Sequence, residues 1–284
     1  MSSPQVEFVE VDGINLRVAT QPGRKGNGGL PLLLFNGIGA NLELCFPFME
    51  AMPEKEIIIF DVPGVGRSEM SWRPRRFSGL ARLADKLLTR LGYQQVDVIG
   101  VSWGGALAQQ FARQYPQRCR RLILAATSTG AIMVPGKPSV LSKMVTPRRY
   151  LSPTYMQQAA GDIYGGEARR DPKLLSGHTS RMIAPQFMGY LYQLMAGVGW
   201  TSIHWLHKIN QPTLVLAGDD DPLIPLINMR MLAWRIPNAQ LHIIDDGHLF
   251  LITRAEAVAP IIMKFLQEER QRAVMHPHPT PLGG

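Results

Sequence analysis

The sequence is poor in cysteine and has no long apolar segment. Its two cysteines, Cys45 and Cys119, are too few for a disulfide framework and have no metal-ligand spacing. No apolar run approaches the roughly 18–20 residues that a transmembrane helix needs. Residues 1–7 lack the basic start and apolar stretch of a signal peptide. We therefore expect a cytoplasmic protein with no membrane span, no metal and no organic cofactor.

The sequence also lacks a concentrated basic patch, although its formal net charge is +8. Nucleic-acid-binding modules combine such a patch with a recognisable fold signature. Here the arginine clusters are scattered and have no recognition motif beside them; they lie at residues 73–76, 118–121, 148–149 and 169–170. We expect solvated basic faces and no nucleic-acid partner. The charge leaves open an attraction to an anionic particle or lipid surface.

Apolar runs of strand length alternate with helical patterns along most of the 284 residues. Such alternation predicts an α/β fold with a mostly parallel central sheet and helices on both faces. Residues 6–11 and 14–18 flank an Asp-Gly turn and predict a hairpin at the edge of the sheet. The other strands are predicted at residues 31–35, 57–60, 96–101, 122–126, 213–217 and 240–244, of which 31–35, 57–60 and 213–217 are expected to be buried, and the helices at 80–91, 106–111, 226–234 and 255–268.

The alternation is interrupted between residues 131 and 210, which are rich in methionine and aromatic residues. Helical patches are predicted at 155–160 and 185–196, and no strand is predicted. We interpret this region as a helical cap inserted into the core, whose apolar side chains form its own small core or line an entrance. The predicted domains are residues 1–130 and 211–272 for the two parts of the core, 131–210 for the cap, and 273–284 for a flexible proline-rich tail.

The pattern Gly-Val-Ser-Trp-Gly at residues 100–104 joins a predicted strand directly to a predicted helix. This is the context of a nucleophile elbow, in which a strained turn exposes a serine hydroxyl. The small Gly100 and Gly104 would let the strand and helix approach closely. A G-x-S-x-G match alone is weak, but its flanking elements favour Ser102 as a nucleophile.

Two later strands end in the groups that a serine nucleophile requires. A run of three aspartates, residues 219–221, follows the strand at 213–217, and His248 follows the strand at 240–244. Because ligand sites in open α/β sheets lie at the carboxyl ends of the strands, we expect Ser102, one of these aspartates and His248 to converge. An imidazole would accept the serine proton, and the acid would orient the imidazole.

The order nucleophile, acid, histidine is that of the α/β hydrolases, and the chain resembles this family over its whole length. Gly218-x-x-Asp221-x-x-x-Pro225 is similar to the family's acid loop and selects Asp221. The pattern D-x-x-G-x-G-x-S at residues 61–68 matches another family loop. The first loop differs, since it has Asn36-Gly37 where many relatives have His-Gly. By the family layout, the resemblance implies that the backbone amides of Ile38 and Trp103 form an oxyanion hole.

Three segments more closely resemble the intracellular depolymerases of medium-chain-length polyhydroxyalkanoates. They are Asn-Gly-Ile-Gly-Ala-Asn at 36–41, Gly-Val-Ser-Trp-Gly-Gly at 100–105 and Gly-Asp-Asp-Asp-Pro at 218–222. The resemblance implies hydrolysis of a poly(3-hydroxyalkanoate) to 3-hydroxy fatty acids through an acyl-enzyme on Ser102, and attachment to the polymer granule. We expect Asn36, Met133 and Leu249 to contact the substrate.

Other functions fit the same motifs. A small-ester or thioester hydrolase, or a 3-hydroxyacyl transferase, would use the same three side chains. A non-catalytic ligand receptor is disfavoured, because such proteins often lose one of the three, and a dehalogenase would need a carboxylate where Ser102 stands. The sequence does not indicate an oligomeric state.

Overall fold

A central sheet organises the computed structural model, which describes residues 4–23, 29–146, 152–171, 174, 181–184 and 186–268. Within these residues the sheet has eight strands in the order β1-β2-β4-β3-β5-β6-β7-β8. The strands are β1 (Gln5–Val11), β2 (Ile14–Gln21), β3 (Leu32–Phe35), β4 (Ile57–Phe60), β5 (Val96–Val101), β6 (Cys119–Ala125), β7 (Thr213–Gly218) and β8 (Ala239–Ile244). The proline-rich tail predicted at 273–284 lies outside the described residues.

Strands β3 to β8 run parallel, and the first two strands are antiparallel additions at one edge. β1 and β2 form the predicted hairpin, closed by Asp12 and Gly13 with φ of 54° and 71°. Positive φ at both central residues is the backbone of a two-residue hairpin turn that follows the strand twist. The prediction of a mostly parallel α/β sheet is therefore confirmed.

Helices cover both faces of the sheet, as the alternating pattern predicts. One face packs against α2 (Phe77–Arg90), α3 (Trp103–Gln114) and α8 (Leu226–Arg235), and the other packs against α1 (Phe46–Glu50), α9 (Phe250–Thr253) and α10 (Ala255–Gln267). The apolar runs of β3 to β7 are buried on both sides, because these two layers exclude water from them, whereas the edge strand β8 is largely exposed. Among the described residues, no helix combines the length and apolarity needed to cross a bilayer.

The chain between β6 and β7 forms helices α4 (Pro138–Val145), α5 (Pro153–Tyr164), α6 (Gly166–Arg170) and α7 (Phe187–Gly197). The helical patch predicted at 155–160 falls in α5, and residues 187–196 of the patch predicted at 185–196 fall in α7; residue 185 lies outside the described residues. Sequence patterns did not predict α4 and α6, because each is only two turns or less and has little periodicity of its own. α4, α5 and α6 share a small apolar core with Leu223, next to the carboxyl edge of the sheet. The boundaries of the cap remain a prediction.

β5 and α3 approach each other closely on either side of Ser102. A Cβ atom at Gly100 would lie 2.3 Å from the Gly104 carbonyl oxygen and 2.6 Å from the Ala108 Cβ. A Cβ atom at Gly104 would lie 2.2 Å from the carbonyl oxygen of Phe35, in β3. Both positions therefore need glycine, as the pattern around the serine predicts.

We predict that Gly100→Ala will lower the free energy of unfolding by about 3 kcal/mol, because α3 must move away from the sheet. The control is Gly79→Ala in α2, where the added Cβ would meet no atom closer than 3.5 Å. That variant should be neutral or gain up to about 1 kcal/mol from helix propensity. Urea unfolding measures both, and equal stabilities of the two variants would contradict the packing argument.

Candidate active site

Ser102 occupies the turn between β5 and α3 with a backbone φ of 53° and ψ of −119°. A positive φ is strained for a residue with a Cβ and persists only where the surroundings enforce it. Here the Ser102 N–H donates to the Ala125 carbonyl over 2.9 Å. The Ser102 carbonyl accepts from the Thr127 hydroxyl at 2.7 Å and from the Gly105 N–H at 2.9 Å. These bonds fix the turn that the sequence pattern indicates.

Asp221 and His248 form a buried pair at the carboxyl ends of β7 and β8. The His248 Nδ1 and Asp221 Oδ2 atoms lie 2.7 Å apart, and both side chains are almost fully buried. The other carboxylate oxygen of Asp221 accepts the N–H groups of Leu223 and Ile224, each at 2.9 Å. The carboxylate is thus fully hydrogen-bonded and can hold only one orientation of the imidazole.

The other two aspartates of the run have different surroundings. Asp219 is exposed. Asp220 accepts hydrogen bonds from the Arg169 guanidinium and from the Gly166 N–H, at 2.5 and 2.7 Å. The hydrogen bond from Arg169 lowers the pKa of the Asp220 carboxyl below its usual value. Asp220 therefore attaches α6 to the acid loop, while Asp221 alone of the three contacts the histidine.

The chain between β6 and β7 contacts the histidine directly. The His248 N–H donates to the Tyr164 carbonyl at 2.7 Å, and the two rings are stacked with centroids 6.3 Å apart and an interplanar angle of 16°. Tyr164 is the last residue of α5. The backbone position of His248 therefore depends on a helix outside the sheet.

Ser102 and His248 line one cavity of about 80 Å³. Most of its other lining side chains are apolar, and they come from both the core and the chain between β6 and β7. The lining residues are Asn36, Gly37, Ile38, Gly39, Ala40, Leu44, Val101, Ser102, Met144, Tyr164, Met182, His248, Leu249 and Ile252. A small apolar cavity that is lined by a serine and a histidine suits the attack of the serine hydroxyl on an apolar substrate.

The first loop, residues 36–41, faces Ser102. A Cβ atom on Gly37 would lie 3.8 Å from the Ser102 Cβ. The Asn36 side chain braces this loop, since its amide nitrogen donates to the Asn41 carbonyl at 3.0 Å and its oxygen accepts the Gly37 N–H at 2.8 Å. Ile38 lines the cavity. The assignment of its N–H to an oxyanion hole stays a prediction.

Trp103, the other predicted donor, is the first residue of α3. Backbone N–H groups in the first turn of a helix have no partner within the helix, and the helix dipole favours negative charge there. Its N–H therefore lies in the electrostatic environment that an oxyanion donor needs. That function stays a prediction too.

The three predicted substrate contacts lie in different places. Asn36 and Leu249 line the cavity, whereas Met133 is not among its lining residues. Met133 is half-buried in the segment after β6, where the next residue, Val134, exchanges two 2.8 Å hydrogen bonds with the Asn228 side chain. A role for Met133 in substrate binding is a prediction that this cavity does not support. Among the described residues, no cluster of histidine, cysteine, aspartate and glutamate could hold a metal ion.

The loop with the D-x-x-G-x-G-x-S pattern, residues 61–68, binds the chain just after the first loop. The Asp61 Oδ1 atom accepts the Leu42 N–H at 2.7 Å, just after residues 36–41. Burial raises the pKa of the Asp61 carboxyl to about 7, although the Leu42 N–H and the Arg17 guanidinium act in the opposite direction. The Ser68 hydroxyl donates to the Asp61 carbonyl and accepts the Arg17 N–H, at 2.7 and 2.8 Å. The residues of this pattern thus stabilise the first loop, and none of them lines the cavity.

Sequence reasoning missed three residues that hold these loops. They are Tyr164, Gln193 and Asp246. Gln193 is a single buried polar residue in the apolar helix α7, and that isolation was a usable signal. Asp246 lies two residues before His248, but nothing in the sequence distinguishes it from Asp245. Its Oδ1 atom accepts the Glu167 and Gly247 N–H groups at 2.7 and 2.6 Å, and its Oδ2 atom accepts the Thr253 hydroxyl at 2.5 Å.

We predict that Asp246→Ala will lower the free energy of unfolding by about 2–4 kcal/mol, because two backbone N–H groups lose their acceptor. Asp246→Asn should cost less, since it keeps the oxygen that accepts both. The control is Asp245→Ala, whose side chain is 74% exposed and pairs with Arg170; it should change stability little. Thermal unfolding measures all three, and similar losses at 245 and 246 would refute the assignment.

Comparison with known proteins agrees with the fold described above. Residues 31–255 match the model of the alpha/beta hydrolase fold family. The chain is 67% identical over 276 residues to a poly(3-hydroxyalkanoate) depolymerase of Ectopseudomonas oleovorans, which covers 97% of both proteins. It is 24% identical to a 2-hydroxy-6-oxononadienedioate/2-hydroxy-6-oxononatrienedioate hydrolase of a Pseudomonas species, covering 92% of this chain and 96% of that protein.

Solved structures with the same architecture include an enol-lactonase from Burkholderia xenovorans LB400. It has a TM-score of 0.77 at 22% identity and covers 92% of this chain and 100% of its own. A meta-cleavage product hydrolase from Pseudomonas fluorescens IP01 has a TM-score of 0.76 at 18% identity, with 91% and 96% covered. At these identities the likeness concerns the fold. With the family match over most of the chain, it confirms the resemblance drawn from the motifs: the chain belongs to the alpha/beta hydrolase fold family.

Proposed function

We propose that the chain hydrolyses ester bonds of medium-chain-length poly(3-hydroxyalkanoate) to 3-hydroxy fatty acids, with an acyl-enzyme on Ser102. The observation that carries the proposal is the buried His248–Asp221 contact, 2.7 Å long, beside a cavity that Ser102 also lines. The 67% identity to a protein named poly(3-hydroxyalkanoate) depolymerase supports the choice of polymer.

In the first half-reaction, Ser102 Oγ attacks the ester carbonyl carbon and its proton passes to His248 Nε2. The imidazolium that forms keeps its Nδ1–H directed at Asp221, whose negative charge stabilises it. Because Leu223 and Ile224 hold the other carboxylate oxygen, Asp221 cannot turn away during this step. His248 then gives the proton to the alcohol that leaves.

The negative charge that develops on the carbonyl oxygen needs donors on the side of Ser102. The N–H groups of Ile38 and Trp103 are the proposed donors, since Trp103 follows the serine and Ile38 lines the same cavity. Fixed donors of this kind typically contribute a factor of about 10²–10³ each to turnover. In the second half-reaction water attacks the acyl-enzyme, with His248 again as base, and releases the 3-hydroxy acid.

The cavity lining supports a substrate with alkyl side chains. Methionine side chains adapt to irregular apolar groups, and Met144 and Met182 both line the cavity, next to Leu249 and Ile252. Both methionines belong to the chain between β6 and β7. We propose that residues 131–210 act as a cap through which a polyester chain end reaches Ser102, between the core segments 1–130 and 211–272.

Attachment to the polymer granule, in the cytoplasm, is the second part of the proposal. Helix α7 and the residue after it expose large apolar side chains, with Phe187 74% and Val198 67% exposed. Met188, Leu194 and Met195 are also exposed on this helix. An apolar surface of this kind marks a site of interaction with another apolar surface. A polyester granule presents such a surface and also holds the substrate.

We expect Ser102→Ala to lower turnover by a factor of about a thousand or more, because no other group takes over the attack. The assay is release of 3-hydroxy acids from a medium-chain polyester latex, run beside a soluble nitrophenyl ester. Ser78→Ala, at an exposed position in α2, is the control and should keep full activity.

Near-normal hydrolysis by Ser102→Ala would end the proposed mechanism. Attack on the soluble ester but not on the latex would instead favour a small-ester hydrolase. Acyl transfer to coenzyme A that outpaces hydrolysis would favour a transferase.

We expect the double variant Phe187→Glu, Val198→Glu to pellet less with polymer granules, because charged side chains oppose burial at an apolar surface. Its activity on the soluble nitrophenyl ester should remain that of the wild type. Trp234→Glu in α8 is the matched control, since Trp234 is 77% exposed but lies on the core. Undiminished pelleting of the double variant would refute this surface.

A further inference from the structure

Helix α7 has one buried polar side chain, Gln193, which is only 4% exposed. A buried amide is retained at a net cost unless its hydrogen bonds are made. The mechanism described above does not use Gln193, and it is not among the residues that line the cavity of Ser102. It nevertheless contacts Gly39, the residue after Ile38, and Trp103, so it touches both segments of the proposed oxyanion hole.

Gln193 binds the two segments that carry the proposed oxyanion donors. Its side-chain Oε1 atom accepts the Gly39 N–H at 2.8 Å, one residue after Ile38. Its backbone carbonyl accepts the indole Nε1–H of Trp103 at 2.9 Å. Since the partner of Oε1 is an N–H group, the orientation of the Gln193 amide follows from the contact itself. One residue of α7 thus connects the first loop with the residue after the nucleophile.

Other contacts fix the position of α7 relative to the core, so that α7 can position both segments. The helix lies against the core at Gly189, where an added Cβ would be 2.0 Å from the Gly64 carbonyl oxygen. The Trp103 ring packs on Phe77 of α2, with ring centroids 4.9 Å apart. Helix α7 is therefore in backbone contact with the core beside Gln193, and the indole that Gln193 binds is itself packed.

We propose that Gln193 is a positioning residue that sets the distance between the N–H groups of Ile38 and Trp103; this inference rests on the proposed ester hydrolysis at Ser102. The physical reason is the steep dependence of oxyanion stabilisation on donor placement. A displacement of about 1 Å can cost a factor of about 10² in rate. Without its contact to Gln193, the Gly39 N–H loses the side-chain acceptor that α7 provides.

The test compares Gln193→Met with the wild-type enzyme on a soluble nitrophenyl ester. Methionine keeps the length and approximate volume of the side chain but replaces the amide oxygen that accepts the Gly39 N–H with a thioether, which is only a weak acceptor. We expect kcat to fall by a factor of about 10–100, less than the loss from deleting a donor. KM should change little, because the hole acts on the tetrahedral state and not on the bound ester.

A trifluoromethyl ketone gives a second readout, since it forms a tetrahedral oxyanion adduct on the serine. Its affinity should fall by the same factor as kcat, whereas a merely structural role for Gln193 would leave the two changes unrelated. Gln193→Glu should recover most of the loss, because either protonation state of the carboxyl group keeps an acceptor oxygen for Gly39.

The matched control is Gln211→Met. Gln211 is a buried glutamine far along the chain, whose side chain donates to the Ala112 carbonyl at 3.1 Å. This variant should lose thermal stability while keeping kcat. Thermal unfolding of every variant shows whether it is folded at the assay temperature.

Two outcomes separate this inference from the proposed function. If wild-type hydrolysis depends on Ser102 but Gln193→Met keeps its kcat and its affinity for the ketone, the positioning role is wrong and the hydrolase stands. If the Ser102→Ala variant hydrolyses the ester at the wild-type rate, the proposed function is wrong, and the positioning role is wrong with it. Equal loss of kcat in Gln193→Met and Gln211→Met would reduce Gln193 to a structural residue.

Discussion

The buried contact between Asp221 and His248 determines what the surrounding loops must supply. A carboxylate removed from water is stable only if its remaining oxygen is hydrogen-bonded, and the N–H groups of Leu223 and Ile224 meet that need. The imidazole in turn needs a fixed backbone, which the Tyr164 carbonyl provides. The pair is therefore pre-organised before substrate arrives, which is the condition for efficient general-base chemistry.

The parallel sheet brings the functional segments together, but the chain between β6 and β7 completes their arrangement. It supplies the acceptor for His248, the α6 backbone donors to Asp220 and Asp246, and the acceptor for Gly39. Together these contacts reach three loops of the core, those that follow β3, β7 and β8. In this chain the segment that lines part of the cavity is thus also part of the framework that holds the candidate catalytic groups in place.

The sequence predicts well those features that local patterns determine. The strand runs, the hairpin at Asp12–Gly13 and the glycines around Ser102 follow from residue type and spacing, and the structure contains all of them. The aspartate that contacts His248 is also the one that the motif selects. In contrast, α4 and α6 are short helices that tertiary packing stabilises. The isolated Gln193 in an apolar helix gives a sign of burial, but its contact with Gly39 and that of Asp246 with Glu167 span 154 and 79 residues, so sequence spacing does not identify these partners.

The close backbone approach of Gly189 to Gly64 has a consequence for how such enzymes can be re-engineered. The segment between β6 and β7 touches the core through glycine and also provides acceptors to loops of the core, so it is not an independent module. A chimera that takes this segment from a relative with another specificity would also replace the framework of the reaction centre. To change the substrate specificity of this chain, one should therefore keep Gly64, Gly189 and Gln193 and vary only the side chains that line the cavity.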